Sequence, residues 1–132
     1  MKKKVSATIE RANDGGIWVC AEIDGNLCIG SGPTPEEAKA DFWVAYGELR
    51  EVIEALPPAE DLDVEFKYDV ASFLRQFREE FSMSGLEVIT GINQKQLHHY
   101  LSGQSRPSAA TKKKIQEGIA AFAAKLTAIQ FA

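Results

Sequence analysis

Ser31-Gly32-Pro33-Thr34-Pro35-Glu36-Glu37-Ala38 is the stretch where the chain changes its hydrophobic period. Before it the apolar residues alternate, and after it they recur every three to four positions. Thr34 is a helix-capping residue type, Pro35 carries the fixed φ suited to a first helical turn, and Glu37 sits three residues beyond the cap. Beyond this start, Ala38, Phe42, Ala45, Leu49, Val52, Ile53 and Leu56 fall at helical spacing. They predict a helix of about five to six turns with one apolar face, stopped by Pro57-Pro58.

Toward the N-terminus, Lys4 to Glu10 sets Val5, Ala7 and Ile9 against Ser6, Thr8 and Glu10, the period-two pattern of a half-buried strand. Asn13-Asp14-Gly15-Gly16 reads as a loop. Ile17 to Ile23 and Leu27 to Ile29 predict two more strands, joined antiparallel across Asp24-Gly25, a dipeptide suited to tight hairpins because both central residues need positive φ. Toward the C-terminus, Asp63 to Asp69 alternates Val64, Phe66 and Tyr68 with charged residues and predicts a fourth strand. Residues 1–69 are therefore expected to form an α+β module of order β-β-β-α-β, with one sheet face covered by the helix.

From Val70 the period is helical throughout. Val70, Phe73, Leu74, Phe77 and Phe81 share one face of a first helix, which Ser82 to Gly85 breaks. Leu86 to Thr90 predicts a short second helix closed by Gly91. Asn93 caps a third, with Gln96 placed to return a bond to the cap and Leu97, Tyr100 and Leu101 facing inward. A fourth starts near Ser108 and carries Ile115, Ile119, Phe122, Leu126 and Ile129 on one stripe to the last residues. That stripe is longer than a compact domain needs to close its own core, so part of it is expected to pair two chains in a homodimer. Residues 70–132 are thus expected to be an all-α domain.

The 132 residues are 45% hydrophobic and 26% charged, the balance of a folded globular chain rather than a disordered one. No apolar run approaches the roughly 20 residues that cross a bilayer, and no hydrophobic stretch follows Lys2-Lys3-Lys4, so the expected location is the cytoplasm. Two cysteines, Cys20 and Cys28, allow one disulfide on count alone, but in a cytosolic chain of this size they are expected to be free thiols, and their spacing fits no zinc site. His98 and His99 point about 100° apart on a helix and so do not share a ligand position. Neither a metal nor a cofactor is expected.

The net charge of -4 conceals a division. Residues 1–69 carry seven Lys and Arg against fifteen Asp and Glu, giving -8, whereas residues 70–132 carry eight against four, giving +4. Between Gly91 and Gln116 lie Lys95, Arg106, Lys112, Lys113 and Lys114 with no acid at all. An acidic module and a basic one imply different partners, and the basic one is fit to meet phosphates.

Two short helices joined at a glycine, the second opening with polar side chains, form the arrangement that places a reading helix in the DNA major groove. Gly91-Ile92-Asn93-Gln94-Lys95-Gln96-Leu97-His98-His99-Tyr100-Leu101-Ser102-Gly103-Gln104-Ser105-Arg106-Pro107 resembles the helix-turn-helix of the phage-repressor type. The resemblance implies that Gln94 and Lys95, with His99 one turn on, meet base edges. It also implies that Asn93 and Arg106 hold phosphates, and Lys112 and Lys113 of the acid-free stretch are further candidates for phosphate. One position departs from that pattern: Glu87 stands in the middle of the helix before the turn, where a small residue usually lets the two helices approach.

With this domain behind it, the first module, including Gly32-Pro33-Thr34-Pro35-Glu36-Glu37-Ala38, resembles the HicB-like antitoxins of bacterial toxin-antitoxin pairs. The resemblance implies a partial RNase H-like N-terminal module that neutralises a small basic RNA-cleaving toxin, HicA. It further implies a C-terminal domain that represses the operon by binding operator double-stranded DNA. Glu10, Glu22 and Asp24 are the candidate toxin-facing residues, since acidic groups suit a basic partner. A stand-alone transcription regulator, whose first module binds a small ligand or dimerises, is the alternative. An enzyme is not expected: RNase H-type chemistry needs converging carboxylates with one at the centre of the first strand, and Ala7 stands there.

Overall fold

Period-two alternation becomes a four-stranded sheet, and the helical periods become five helices, in a computed structural model that describes residues 2–132. In chain order the elements are β1 (Lys3–Arg11), β2 (Ile17–Ile23), β3 (Asn26–Gly32), α1 (Pro35–Val52), a 3-10 turn (Ala59–Asp61), β4 (Leu62–Tyr68), α2 (Val70–Gln76), α3 (Met83–Thr90), α4 (Gln94–Ser102) and α5 (Ala109–Thr127). The fold class is α+β. The chain divides into two compact units, Met1–Phe73 and Leu74–Ala132, and the division falls inside α2.

In the sheet unit the strands lie in the order β3-β2-β1-β4. β1 with β2 and β2 with β3 are antiparallel, whereas β4 runs parallel to β1. The β2-β3 hairpin turns at Asp24 and Gly25, with φ of 51° and 80°. Asn26 supports the turn by donating from Nδ2 to the Asp24 carbonyl at 3.0 Å.

Thr34 caps α1 as its residue type requires: its Oγ1 accepts the Glu37 N–H at 3.2 Å. The helix lays Ala38, Phe42 and Tyr46, all fully buried, on the sheet face built from Val5, Ala7, Ile9, Ile17, Val19, Ala21, Ile23 and Cys28. Gly30 permits this contact, because a Cβ there would stand 2.2 Å from the Phe42 backbone nitrogen. Phe42 meets Trp43 and Phe66 edge-on at 5.3 and 5.9 Å. Burying such a ring contributes roughly 1.5–3 kcal/mol. The helix ends at Val52, which is 82% exposed, so the apolar face stops short of the expected stretch. Leu56 is still buried, brought back by the turn that follows, where the Tyr46 hydroxyl donates to the Pro57 carbonyl at 2.6 Å.

Register places Cys20 beside Ile29 and Cys28 beside Ala21, so the two thiols lie on opposite faces of the sheet and both are free. Burial, and secondarily Cys20, pushes the Cys28 thiol up to about 11. The end of the unit is tied down at Ser72, whose buried hydroxyl accepts the Arg11 N–H at 2.8 Å and donates to Asp69.

The helical unit corrects several expected boundaries. α3 starts at Met83 and not at Leu86, because Ser82 acts as its cap: Oγ accepts the Gly85 N–H at 3.0 Å, and Gly85 lies inside the helix. α2 ends at Gln76, leaving Phe77 in a turn with its ring 6.5 Å from that of Phe81. α5 ends at Thr127, so Ile129 lies beyond the helix rather than on its stripe. Buried apolar residues of this unit are Leu74, Leu86, Ile92, Leu97, Tyr100 and Ile115. Among the described residues no helix is long and apolar enough to cross a membrane.

Candidate nucleic-acid interface

α3 and α4 meet at Gly91-Ile92-Asn93. Gly91 ends α3 in the left-handed conformation (φ 72°), with its N–H on the Glu87 carbonyl at 2.7 Å. A residue with a side chain is strained at that φ. Ile92 is buried beneath the turn, and its N–H donates to Thr90 Oγ1. From α5, Lys114 Nζ donates to the Gly91 carbonyl at 3.3 Å, setting a cation against the negative end of α3.

Asn93 opens α4 as its cap, with Oδ1 accepting the Lys95 N–H at 2.8 Å, which leaves its amide NH2 as the available donor. Gln94 is half-buried, Lys95 exposed, and His99 half-buried one turn later. Leu97 and Tyr100 are buried, and Gln94, three residues before Leu97, borders that side, in keeping with its half burial. Gln96 does not return a bond to the cap as its position suggested. Its Nε2 donates to Ser105 Oγ at 3.1 Å, which ties the helix to the loop that follows.

Arg106 is exposed in that loop, directly before α5. Ser108 caps α5 through the Thr111 N–H, and Lys112 and Lys113 are exposed in its opening turns. Lys113 lies 3.9 Å from Glu117 across an exposed i,i+4 pair, an interaction of a few tenths of a kcal/mol that leaves the ammonium accessible. No acid occupies the first turn of α2, α3, α4 or α5. Lysines near the positive end of a helix are locally unfavourable unless an anion joins them.

Glu87 is the residue whose role the sequence did not disclose. It neither crowds α4 nor points away from it: Oε1 accepts the Gln94 N–H at 3.1 Å, across the turn. A separate close approach, of α5 on α3, is permitted by Gly118, where a Cβ would lie 2.3 Å from the Ile89 carbonyl oxygen. A glycine inside a helix costs about 1 kcal/mol relative to alanine, so Gly118 was the available signal.

In the sheet unit, the face not covered by α1 carries Glu10 and Glu22, both exposed. Their register, Glu10 opposite Trp18 and Glu22 opposite Leu27, spaces them along the strands instead of bringing them to one point. Asp24 sits at the hairpin tip and pairs with Lys3. The same face exposes Trp18 opposite Glu10, and Leu27 and Ile29 along the edge strand β3, at 44%, 64% and 39%. Strand alternation, with Ile17, Val19 and Ala21 buried under α1, places Trp18 on this outer face.

Among the described residues no three His, Cys, Asp or Glu side chains gather in a group that could hold a metal ion. No family model, curated protein or solved structure matches the chain.

Proposed function

We propose that this protein is an antitoxin and autorepressor, with a partial RNase H-like, HicB-like sheet unit that captures a small basic RNA-cleaving toxin and a helix-turn-helix unit that binds operator DNA. The observation that carries the reading is the coincidence of charge and structure. The unit ending at Phe73 holds seven cations against fifteen acids, and the unit starting at Leu74 holds eight against four. In the basic unit, α4 offers Gln94, Lys95 and His99 to base edges. Asn93, Arg106, Lys112 and Lys113 flank it for phosphates.

In the acidic unit, the open face of β2 and β3 joins the apolar anchors Trp18, Leu27 and Ile29 to Glu10 and Glu22. An exposed apolar edge with carboxylates beside it suits a basic protein partner. The exposed C-terminal residues Leu126, Ile129 and Phe131 pair two chains, and a dimer sets two reading helices about one DNA turn, roughly 34–36 Å, apart.

The test is co-expression of the full chain with the short basic protein encoded by the adjacent reading frame, followed by affinity capture and an RNA-cleavage assay. Capture with loss of cleavage is expected, and Trp18→Glu abolishes both while leaving DNA binding intact. Absence of capture, with sequence-selective DNA binding retained, replaces the antitoxin reading with that of a stand-alone regulator.

A further inference from the structure

We infer that Glu87 is a positioning residue for the DNA-reading end of α4, and that its carboxylate makes this helix start selective by closing the Gln94 N–H to phosphate, so that phosphate contact falls to the Asn93 side-chain amide and to Arg106, Lys112 and Lys113. The inference rests on the DNA-binding reading above. A helix begins with backbone N–H groups that have no partner inside the helix, and these commonly receive phosphate. At α4 two of them are already taken: Asn93 Oδ1 accepts the Lys95 N–H at 2.8 Å and Glu87 Oε1 accepts the Gln94 N–H at 3.1 Å. The first intrahelical bond, from the Leu97 N–H to the Asn93 carbonyl, follows at 3.0 Å.

Glu87 reaches across from the middle of α3, seven residues earlier, so it fixes α4 against α3 as well as capping it. Gln94 and Lys95, the two side chains offered to base edges, leave from the backbone that these two bonds hold. The reach from position 87 to Gln94 needs a long acceptor side chain, and glutamate supplies it with a charge. α4 has no acid in its own first turn, so the carboxylate from α3 is the negative group that meets its positive end. A fixed negative charge on the Gln94 N–H repels a phosphate that approaches that N–H, while it leaves base-edge bonds from the Gln94 and Lys95 side chains unopposed. Glu87 thereby lowers indiscriminate binding and preserves sequence-dependent binding.

The experiment uses the full chain and two variants, Glu87→Gln, which keeps the acceptor without the charge, and Glu87→Ala, which removes both. The probes are a duplex that the wild-type chain enriches from a random-sequence pool and a shuffled duplex of the same composition. Hydrogen exchange of the Gln94 amide is followed by NMR in the absence of DNA. Glu87→Ala should speed Gln94 exchange about ten-fold over neighbouring amides and lower affinity for the enriched duplex about ten-fold, the scale of one misplaced base contact. Glu87→Gln should keep the amide protected and the enriched-duplex affinity near wild type, yet tighten binding to the shuffled duplex about three- to ten-fold.

Unchanged exchange and unchanged selectivity in Glu87→Ala, with an enriched duplex in hand, overturn the role of Glu87 and leave the DNA reading standing. Failure of the wild-type chain to enrich any duplex overturns the DNA reading and the selectivity role together. A slowed or accelerated exchange spread evenly over the whole unit, instead of centred on Gln94, also overturns the positioning role, because it marks a general loss of stability.

Discussion

The two units start their helices in opposite ways. α1 of the sheet unit opens with Thr34, Pro35, Glu36 and Glu37, so its capping and its dipole are satisfied by its own first turn. The helices of the other unit open without acids, and α5 sets Lys112, Lys113 and Lys114 close behind its cap. At α4 the missing carboxylate is lent by Glu87 from the preceding helix. A start neutralised by its own acids suits a helix that packs, whereas α5 keeps an electropositive start and α4 borrows its carboxylate from α3. The units differ equally in what they leave bare: the sheet unit exposes Trp18, Leu27 and Ile29 beside acids, and the helical unit exposes lysines and a polar helix start.

The sharpest break in this comparison comes from the core of one unit alone. Phe42→Ala empties a fully buried ring site and should cost about 3–5 kcal/mol. Both tryptophans, Trp18 and Trp43, belong to the sheet unit, so thermal unfolding followed by their fluorescence reports that loss. The far-UV helical signal of residues 74–132 should be lost at its wild-type temperature. A single transition displaced as a whole would erase the distinction between the units.

Alkali should separate them next. The Cys28 thiol, raised to about 11 in the fold, binds a proton that the unfolded chain releases near 9. The folded state therefore holds more protons between those values, and stability falls as pH rises through that window, by up to about 2–3 kcal/mol. Tyr46 and Tyr68, both raised by burial, act in the same direction at higher pH. Cys28→Ala should flatten the decline between pH 9 and 11, measured by urea unfolding with tryptophan detection. A decline identical to wild type would remove the thiol from the account.

In the helical unit, Gly118→Ala gains helix propensity yet drives a methyl group into the Ile89 carbonyl, so it should destabilise by roughly 1–3 kcal/mol where an ordinary helical glycine would gain about 1. The sign of the change in circular-dichroism melting decides the matter. The smallest effect is expected from Arg106→Ala, which should weaken all duplexes alike and reduce the slope of affinity against log salt by about 1. A loss confined to one sequence would make Arg106 a base reader.

How far the residues could be read ahead follows from what they encode. Thr34 and Ser108 cap the helices their positions foretold, and Asp24-Gly25 turns the hairpin, because local polar chemistry dictates each. Val52 looked like core by spacing and is exposed, since helical period alone cannot say where the sheet beneath ends. Ser82 to Gly85 reads as a break although Ser82 is a cap; a serine three residues before a glycine supports either reading until the following turn is seen. The direction of β4 depends on where the α1 crossover returns the chain, which no local pattern records. Within the candidate site, the polar opening of α4 was legible. The cross-turn bond from Glu87 was not, because it joins residues seven apart whose meeting requires the turn at Gly91.

The central claim is that α4 reads sequence, and the most direct measurement is the affinity of the full chain for an enriched duplex and for its shuffled counterpart, with and without Gln94→Ala and Lys95→Ala. The wild-type chain should prefer the enriched duplex, and each substitution should take about 1–3 kcal/mol from that preference while changing the shuffled-duplex affinity less. A double variant that binds both duplexes with wild-type strength and wild-type preference would contradict the account.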